Sequence, residues 1–191
     1  MQKGMVSKMY FDDNFPTIPY DSVGNGKFKN VKNLLRRVAL NTKVRTNTLL
    51  YDTYDVKEGE TPESIADKLY DDSQLHWVIL LVNDITDRYH QWPMRYSQFL
   101  EYVNDKYDDV NAVHHYEITQ SSGNTTTKIE VYANSALYSG DTDFYGTATE
   151  ITNLEYEEEL QDQRRKIKLL DPAYLPQFVK EFESLMGEST I

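Results

Sequence analysis

In Tyr54-Asp55-Val56-Lys57-Glu58-Gly59-Glu60-Thr61-Pro62-Glu63-Ser64-Ile65-Ala66-Asp67-Lys68-Leu69-Tyr70 the chain spells out a strand, a turn and a capped helix in succession. Tyr54 and Val56 share one face of a short strand by alternation, and Gly59 offers a turn without the steric penalty of a Cβ. Thr61 is an N-cap residue, Pro62 fits the first helical position where its missing N–H costs nothing, and Glu63 faces the positive helix end. Ile65, Ala66, Leu69 and Tyr70 form one stripe of the helix that follows. Asp71, with Gln74 three residues on, reads as the capping pair of a second helix. The run Leu75-His76-Trp77-Val78-Ile79-Leu80-Leu81-Val82 is apolar nearly all round, which predicts a core helix with Trp77 inside it. Asn83, tolerant of the left-handed conformation, ends it.

This grammar resembles the opening of a LysM module, Tyr-x-Val-x-x-Gly-Asp/Glu-Thr-x-x-x-Ile-Ala, with Tyr54, Val56, Gly59, Glu60, Thr61, Ile65, Ala66 and Asn83 in the corresponding places. A glycan-binding LysM module closes with a second strand soon after the Asn. This chain instead continues Ile85-Thr86-Asp87-Arg88-Tyr89-His90-Gln91-Trp92-Pro93-Met94, then a third helical pattern with Tyr96, Phe99, Leu100, Val103 and Tyr107 on one side. Trp92 fits either a sugar-stacking platform or a partner contact.

Composition narrows the function. The 191 residues suffice to bury roughly 70% of the unfolded surface. A net charge of −11 argues against a grip on nucleic acid or on an anionic membrane. The longest apolar run, Trp77 to Val82, is far short of the ~20 residues of a membrane helix. Met1 to Tyr10 has no apolar block and does not read as a secretory signal. There is no cysteine, hence no disulfide or thiolate chemistry. The 15 tyrosines suit strands and protein interfaces alike.

Upstream of the central stretch, Phe15-Pro16-Thr17-Ile18-Pro19-Tyr20 followed by Gly24-Asn25-Gly26 predicts an extended arm with little regular structure. Its Tyr10, Phe11, Phe15, Ile18 and Tyr20 either pack on the chain's own core or reach a neighbour. In residues 27–52, Val31, Leu34, Leu35 and Val38 fit a helix, whereas Thr42, Val44, Thr46 and Thr48 alternate like a strand. Downstream, His115 to Thr119 and Thr125 to Tyr132 flank the turn-rich Ser121-Ser122-Gly123-Asn124 and predict a hairpin. Glu150 to Arg165 is a charged helical pattern, and Lys166 to Leu170 a short strand. Asp171-Pro172 caps a last helix with Leu175, Phe178, Val179, Phe182, Leu185 and Met186 on one stripe and Gly187 past its end. The segments are 1–53, arm plus a strand or helix; 54–107, LysM-like; 108–150, hairpin region; and 151–191, C-terminal helical segment.

Candidate chemistry is sparse. His114 and His115, with Glu117, are adjacent strand residues that point to opposite faces, so no metal site is read there. Asp141-Thr142-Asp143-Phe144-Tyr145-Gly146 starts like a calcium loop, but Tyr145 stands where an oxygen ligand is wanted and Thr152 where the bidentate Glu should be, so an ordinary turn is read there. Carboxylate pairs are abundant by chance among 31 acidic residues. No nucleophile elbow, phosphate loop or zinc-protease motif occurs, so the reading is no enzyme, no catalytic residue and no cofactor. The basic clusters Lys27, Lys29, Lys32, Arg36, Arg37 and Arg164, Arg165, Lys166, Lys168 are either solvated faces or docking patches for acidic partner surfaces.

In the order of its pieces the chain resembles the baseplate wedge protein with a LysM-like fold of T-even-type contractile-tailed bacteriophages. The resembling residues are Pro16-Thr17-Ile18-Pro19, Pro62-Glu63-Ser64-Ile65-Ala66 with Leu69-Tyr70, Trp77 to Leu81 with Asn83-Asp84, and Trp92-Pro93. They continue through the hairpin, Glu157-Glu158-Glu159-Leu160, Arg164 to Leu170 and the last helix. The resemblance implies a non-enzymatic virion subunit of the tail baseplate, assembled in the host cytoplasm. Its implied partners are other wedge proteins and neighbouring wedges in a six-fold baseplate. The expected fold is α+β: a LysM-like strand-helix-helix block, an extended N-terminal arm, a β-hairpin insertion and a C-terminal amphipathic helix. Tyr10, Phe11, Phe15, Ile18, Tyr20, Arg36, Arg37, Trp92, Arg164, Arg165, Phe178 and Phe182 are the candidate partner contacts. The alternative function is a LysM-type module binding peptidoglycan or chitin oligosaccharides, with the sugar between Gly59 to Pro62 and Asn83 to Asp87.

Overall fold

A computed structural model of the chain describes residues 11–34, 49–119, 128–132 and 148–188. Its elements are β1 (Thr17–Tyr20), β2 (Lys29–Lys32), β3 (Tyr51–Asp55), α1 (Pro62–Tyr70), α2 (His76–Val82), α3 (Arg88–Gln91), α4 (Tyr96–Lys106), β4 (Val113–Thr119), β5 (Lys128–Val131), β6 (Thr149–Thr152), α5 (Asn153–Arg165), β7 (Lys166–Leu170) and α6 (Leu175–Glu188). The fold is α+β, as the sequence predicts. The chain forms two compact units, 1–92 with 166–191, and 93–165. The two ends of the chain share the first unit because β3 finds its partner in β7.

In the first unit β3 and β7 run antiparallel, from Tyr51 opposite Leu170 to Asp55 opposite Lys166. Gly59 takes φ +76° in the turn after β3, the left-handed region glycine enters without strain. Thr61 caps α1 as predicted: its Oγ1 accepts from the Ser64 N–H at 3.3 Å, and Ser64 Oγ accepts from the Thr61 N–H at 3.0 Å. The cap of the next turn is Asp72, not Asp71. Asp71 ends α1 in the left-handed region at φ 57°, while the Asp72 carboxylate accepts from the Gln74 N–H at 2.9 Å. Likewise the left-handed residue after α2 is Asp84, at φ 58°. Asn83 does end the helix as its C-cap, but at φ −94°, with its side chain bonded to the Ile79 and Lys168 carbonyls.

Helix α2 is the core helix its composition predicts. Trp77, Val78 and Val82 join one buried cluster with Tyr51, Leu170, Leu175, Val179, Phe182 and Met186. Ile79 joins a second with Val56, Ile65, Ala66, Trp92, Ile167 and Leu169. Trp77 is only 4% exposed. In α6 the stripe is Leu175, Val179, Phe182 and Met186, with Leu185 exposed. Gly187 lies inside the helix, which runs on to Glu188, since this glycine keeps a negative φ and makes no stop.

The arm is more regular than expected. β1 and β2 pair antiparallel, Thr17 opposite Lys32 and Tyr20 opposite Lys29. Their connection is organised by the Asp21 carboxylate, which accepts from the N–H groups of Val23, Gly24, Asn25 and Gly26. Gly24 and Gly26 take φ +72° and +76°, so Gly-Asn-Gly builds a turn where a break was expected. Val31 lies in β2 and not in a helix; Leu35, Val38 and the alternating residues Thr42 to Thr48 lie outside the described residues.

The second unit has the predicted hairpin: β4 pairs β5, Tyr116 opposite Val131. The turn Ser121 to Asn124 lies outside the described residues, as does Asp141 to Gly146. A third strand, β6, pairs with the other edge of β4. It occupies Thr149–Thr152, so the charged helix begins at Asn153 and not at Glu150. A reciprocal cap marks that start: Thr152 Oγ1 accepts from the Glu155 N–H at 3.2 Å and the Glu155 carboxylate from the Thr152 N–H at 2.8 Å. In α4, Phe99 and Val103 are buried and Tyr96 is exposed.

Candidate functional site

The loops that would flank a sugar in a LysM-type groove are wired to each other and to the core. Glu60 is the centre of the wiring. Its carboxylate accepts from Tyr54 Oη at 2.8 Å, from the Lys57 N–H at 3.0 Å and from Lys68 Nζ at 2.5 Å. Burial raises its pKa, yet the hydrogen bonds from Lys68, Lys57 and Tyr54 together outweigh burial and hold it at about 2. Trp92, 7% exposed, donates its Nε1–H to the Glu60 carbonyl at 2.9 Å. Arg88 pairs with Glu63 at 2.5 Å. Residues 59–63 are thus bridged to the segment after Asp87 by a buried indole and an ion pair. Asn83 is committed to β7: its Nδ2 donates to the Lys168 carbonyl and its Oδ1 accepts from the Lys168 N–H, both at 2.8 Å.

The predicted LysM-like positions therefore act together, as structure. Tyr54 and Glu60 meet, Gly59 and Thr61 set the turn and cap, Val56, Ile65 and Ala66 pack in one cluster, and Asn83 anchors the strand edge. No local pattern links Asn83 to Lys168, which lies 85 positions away.

The candidate partner contacts divide. Phe11 and Phe15 lie against the first unit's own core, Phe11 at 5.7 Å from the Trp77 ring centroid and 6.0 Å from that of Phe182. With Leu81, Ile85 and Met186 they line an apolar cavity of about 380 Å³. Phe182 is buried and Phe178 half-buried in that same core. Ile18 and Tyr20, in contrast, stand on the exposed β1–β2 hairpin, with Tyr20 55% exposed. The hairpin also exposes Val23 (77%) and Phe28 (67%), which the sequence reading missed; the apolar residues before Gly24 and between Lys27 and Lys29 are the signal that could have found them. Lys27, Lys29 and Lys32 give this apolar hairpin a basic rim. Arg164 and Arg165 are half-buried, and Tyr10, Arg36 and Arg37 lie outside the described residues.

The second unit carries a polar interior. Glu157, with no exposed surface, accepts from Lys106 Nζ at 2.6 Å and Tyr107 Oη at 2.9 Å. A bulge between Val113 and His115 breaks the strand alternation, so His114 and His115, expected on opposite faces, meet Nδ1 to Nδ1 at 2.8 Å. Burial, and then the neighbouring His115, pushes His114 below its usual range. Glu117 lies 3.8 Å from His115 Nε2 and pairs with Lys128. Among the described residues no three His, Asp or Glu side chains converge to hold a metal ion, and no helix is long and apolar enough to cross a membrane.

Residues 7–185 match the model of a family described as base plate wedge protein 53. The baseplate wedge protein gp53 of Enterobacteria phage T4 is 30% identical over 99 residues, which cover 52% of this chain and 45% of that relative. The match thus spans about half the length of each protein.

Proposed function

The chain belongs to the base plate wedge protein 53 family, and from that membership we propose that this structural subunit of the virion tail baseplate binds other wedge proteins and joins neighbouring wedges. The observation that carries the finer reading is the β1–β2 hairpin: Tyr20, Val23 and Phe28 are exposed on a turn held by four N–H bonds to Asp21. A turn ordered without a core under it presents apolar side chains at little further entropic cost on docking. The arrangement β3-α1-α2-β7 is read as a LysM-like block whose closing strand follows an insertion, residues 93–165. In this block the sugar-flanking loops serve the fold, with Trp92 and Arg88 spanning them, which favours a scaffold over a glycan binder.

Electron microscopy of particles made when the gene is silenced tests the reading. Free wedges or their precursors without complete baseplates are the expected result. Complete tails that fail to engage the cell wall would overturn it in favour of the glycan-binding module. Titration with chito-oligosaccharide gives an independent check, with no saturable binding expected.

A further inference from the structure

The second unit contains a cavity of about 190 Å³ lined by His115, Glu130, Tyr156, Glu159, Leu160 and Gln163. Small-molecule sites usually measure 300 Å³ or more, so this one suits a single side chain. Two carboxylates line it, and neither a lysine nor an arginine is among the six lining residues. Lys128, on β5 beside it, is paired with Glu117. His115 is 1% exposed, and its Nε2 has no hydrogen-bond partner, with the Glu117 oxygen too distant at 3.8 Å. A buried polar atom without a partner is costly and marks a place where one can be supplied.

From this juxtaposition we propose that the cavity is a socket for an arginine side chain of a partner subunit, a proposal that rests on the docking function above. The carboxylates of Glu130 and Glu159 match a cation, and Tyr156 and Leu160 offer an apolar wall for its methylenes. A guanidinium presents a planar fork of donors that can reach both carboxylates and His115 Nε2 together, which a single ammonium point does less well. A divalent ion fits worse, since no three-ligand group converges among the described residues. Accepting from arginine requires His115 Nε2 to be unprotonated. The proton shared with His114 then sits on His115 Nδ1.

The test is nitrogen NMR on the full chain labelled at histidine, titrated with acetyl-Gly-Arg-Gly-amide. Matched titrations use the peptide carrying citrulline, a neutral isostere, and zinc sulfate. The expected result is a saturable shift of an unprotonated His115 Nε2 with the arginine peptide and none with citrulline. The double variant Glu130→Gln, Glu159→Gln changes exposed residues, keeps the wild-type melting temperature, and is expected to weaken peptide binding at least about tenfold. No saturable shift, equal response to citrulline, or tighter binding of zinc than of the peptide would overturn the socket. Composition of purified baseplates is scored separately: a chain that assembles but ignores arginine refutes the socket alone, whereas a chain missing from baseplates refutes the docking reading beneath it.

Discussion

Asn83 and Lys168 are joined in both directions, side-chain oxygen to backbone N–H and side-chain amide to backbone carbonyl, each at 2.8 Å. The amide thereby imitates an adjoining strand residue along β7, and a second bond from its Nδ2 to the Ile79 carbonyl at 2.8 Å fixes it to α2. Asn83→Ala should destabilise the protein by roughly 1–3 kcal/mol. Asn83→Asp, which keeps the acceptor and loses the donor, should cost a comparable amount. Urea denaturation measures both; wild-type midpoints would show that the bridge adds nothing.

Glu60 gives the fold an acid-labile contact. Its folded pKa of about 2 lies well below the ordinary glutamate value of 4.5. A depressed carboxylate contributes stability that is fully present above the unfolded pKa and is lost as pH falls from about 4.5 toward 2. Discounting the exposed Lys68 end for screening, the contribution is on the order of 2 kcal/mol. The urea midpoint of Glu60→Gln should be lower than wild type at neutral pH, and the two should converge by pH 2. Parallel curves across that window would remove Glu60 from the account.

Trp77 sits at 4% exposure between α2 and α6, its ring 4.5 Å from that of Phe182. Trp77→Ala should cost ~3–5 kcal/mol. An unchanged melting temperature would take Trp77 out of the core.

The hairpin should behave in the opposite way. Tyr20→Ser and Phe28→Ser remove side chains that are 55% and 67% exposed, so each should change stability by no more than about 0.5 kcal/mol. Together they should sharply reduce the chain's incorporation into baseplates, measured by its stoichiometry in purified particles. Full incorporation would show that this hairpin docks on nothing.

What could be read from sequence tracks how local each feature is. Gly59, Thr61 and Pro62 act on neighbours within a few residues, and their turn and cap stand where expected. Trp92 looked like a loop residue because its acceptor, the Glu60 carbonyl, is 32 positions away. The His114–His115 contact was hidden because alternation assumes an unbulged strand. β6 was missed although Thr152-Asn153-Leu154-Glu155 spells a capping box that dates the helix start to Asn153. The exposed Val23 and Phe28 were overlooked because turn chemistry was read as disruption, when Asp21 makes it a platform.

The pairing of β3 with β7 also sets a timetable. On the ribosome, β3, α1 and α2 emerge well before their partner strand, with the whole stretch 93–165 still to be made. At about 5–20 residues per second, those roughly 70 residues take on the order of 4–15 s. Throughout that interval the apolar faces of α1 and α2 lack the strand that seals them, so the newborn chain is most vulnerable to aggregation midway through translation, and the emergence of Lys166–Leu170, followed by the α6 residues that cover Trp77, Val78 and Val82, ends the exposure.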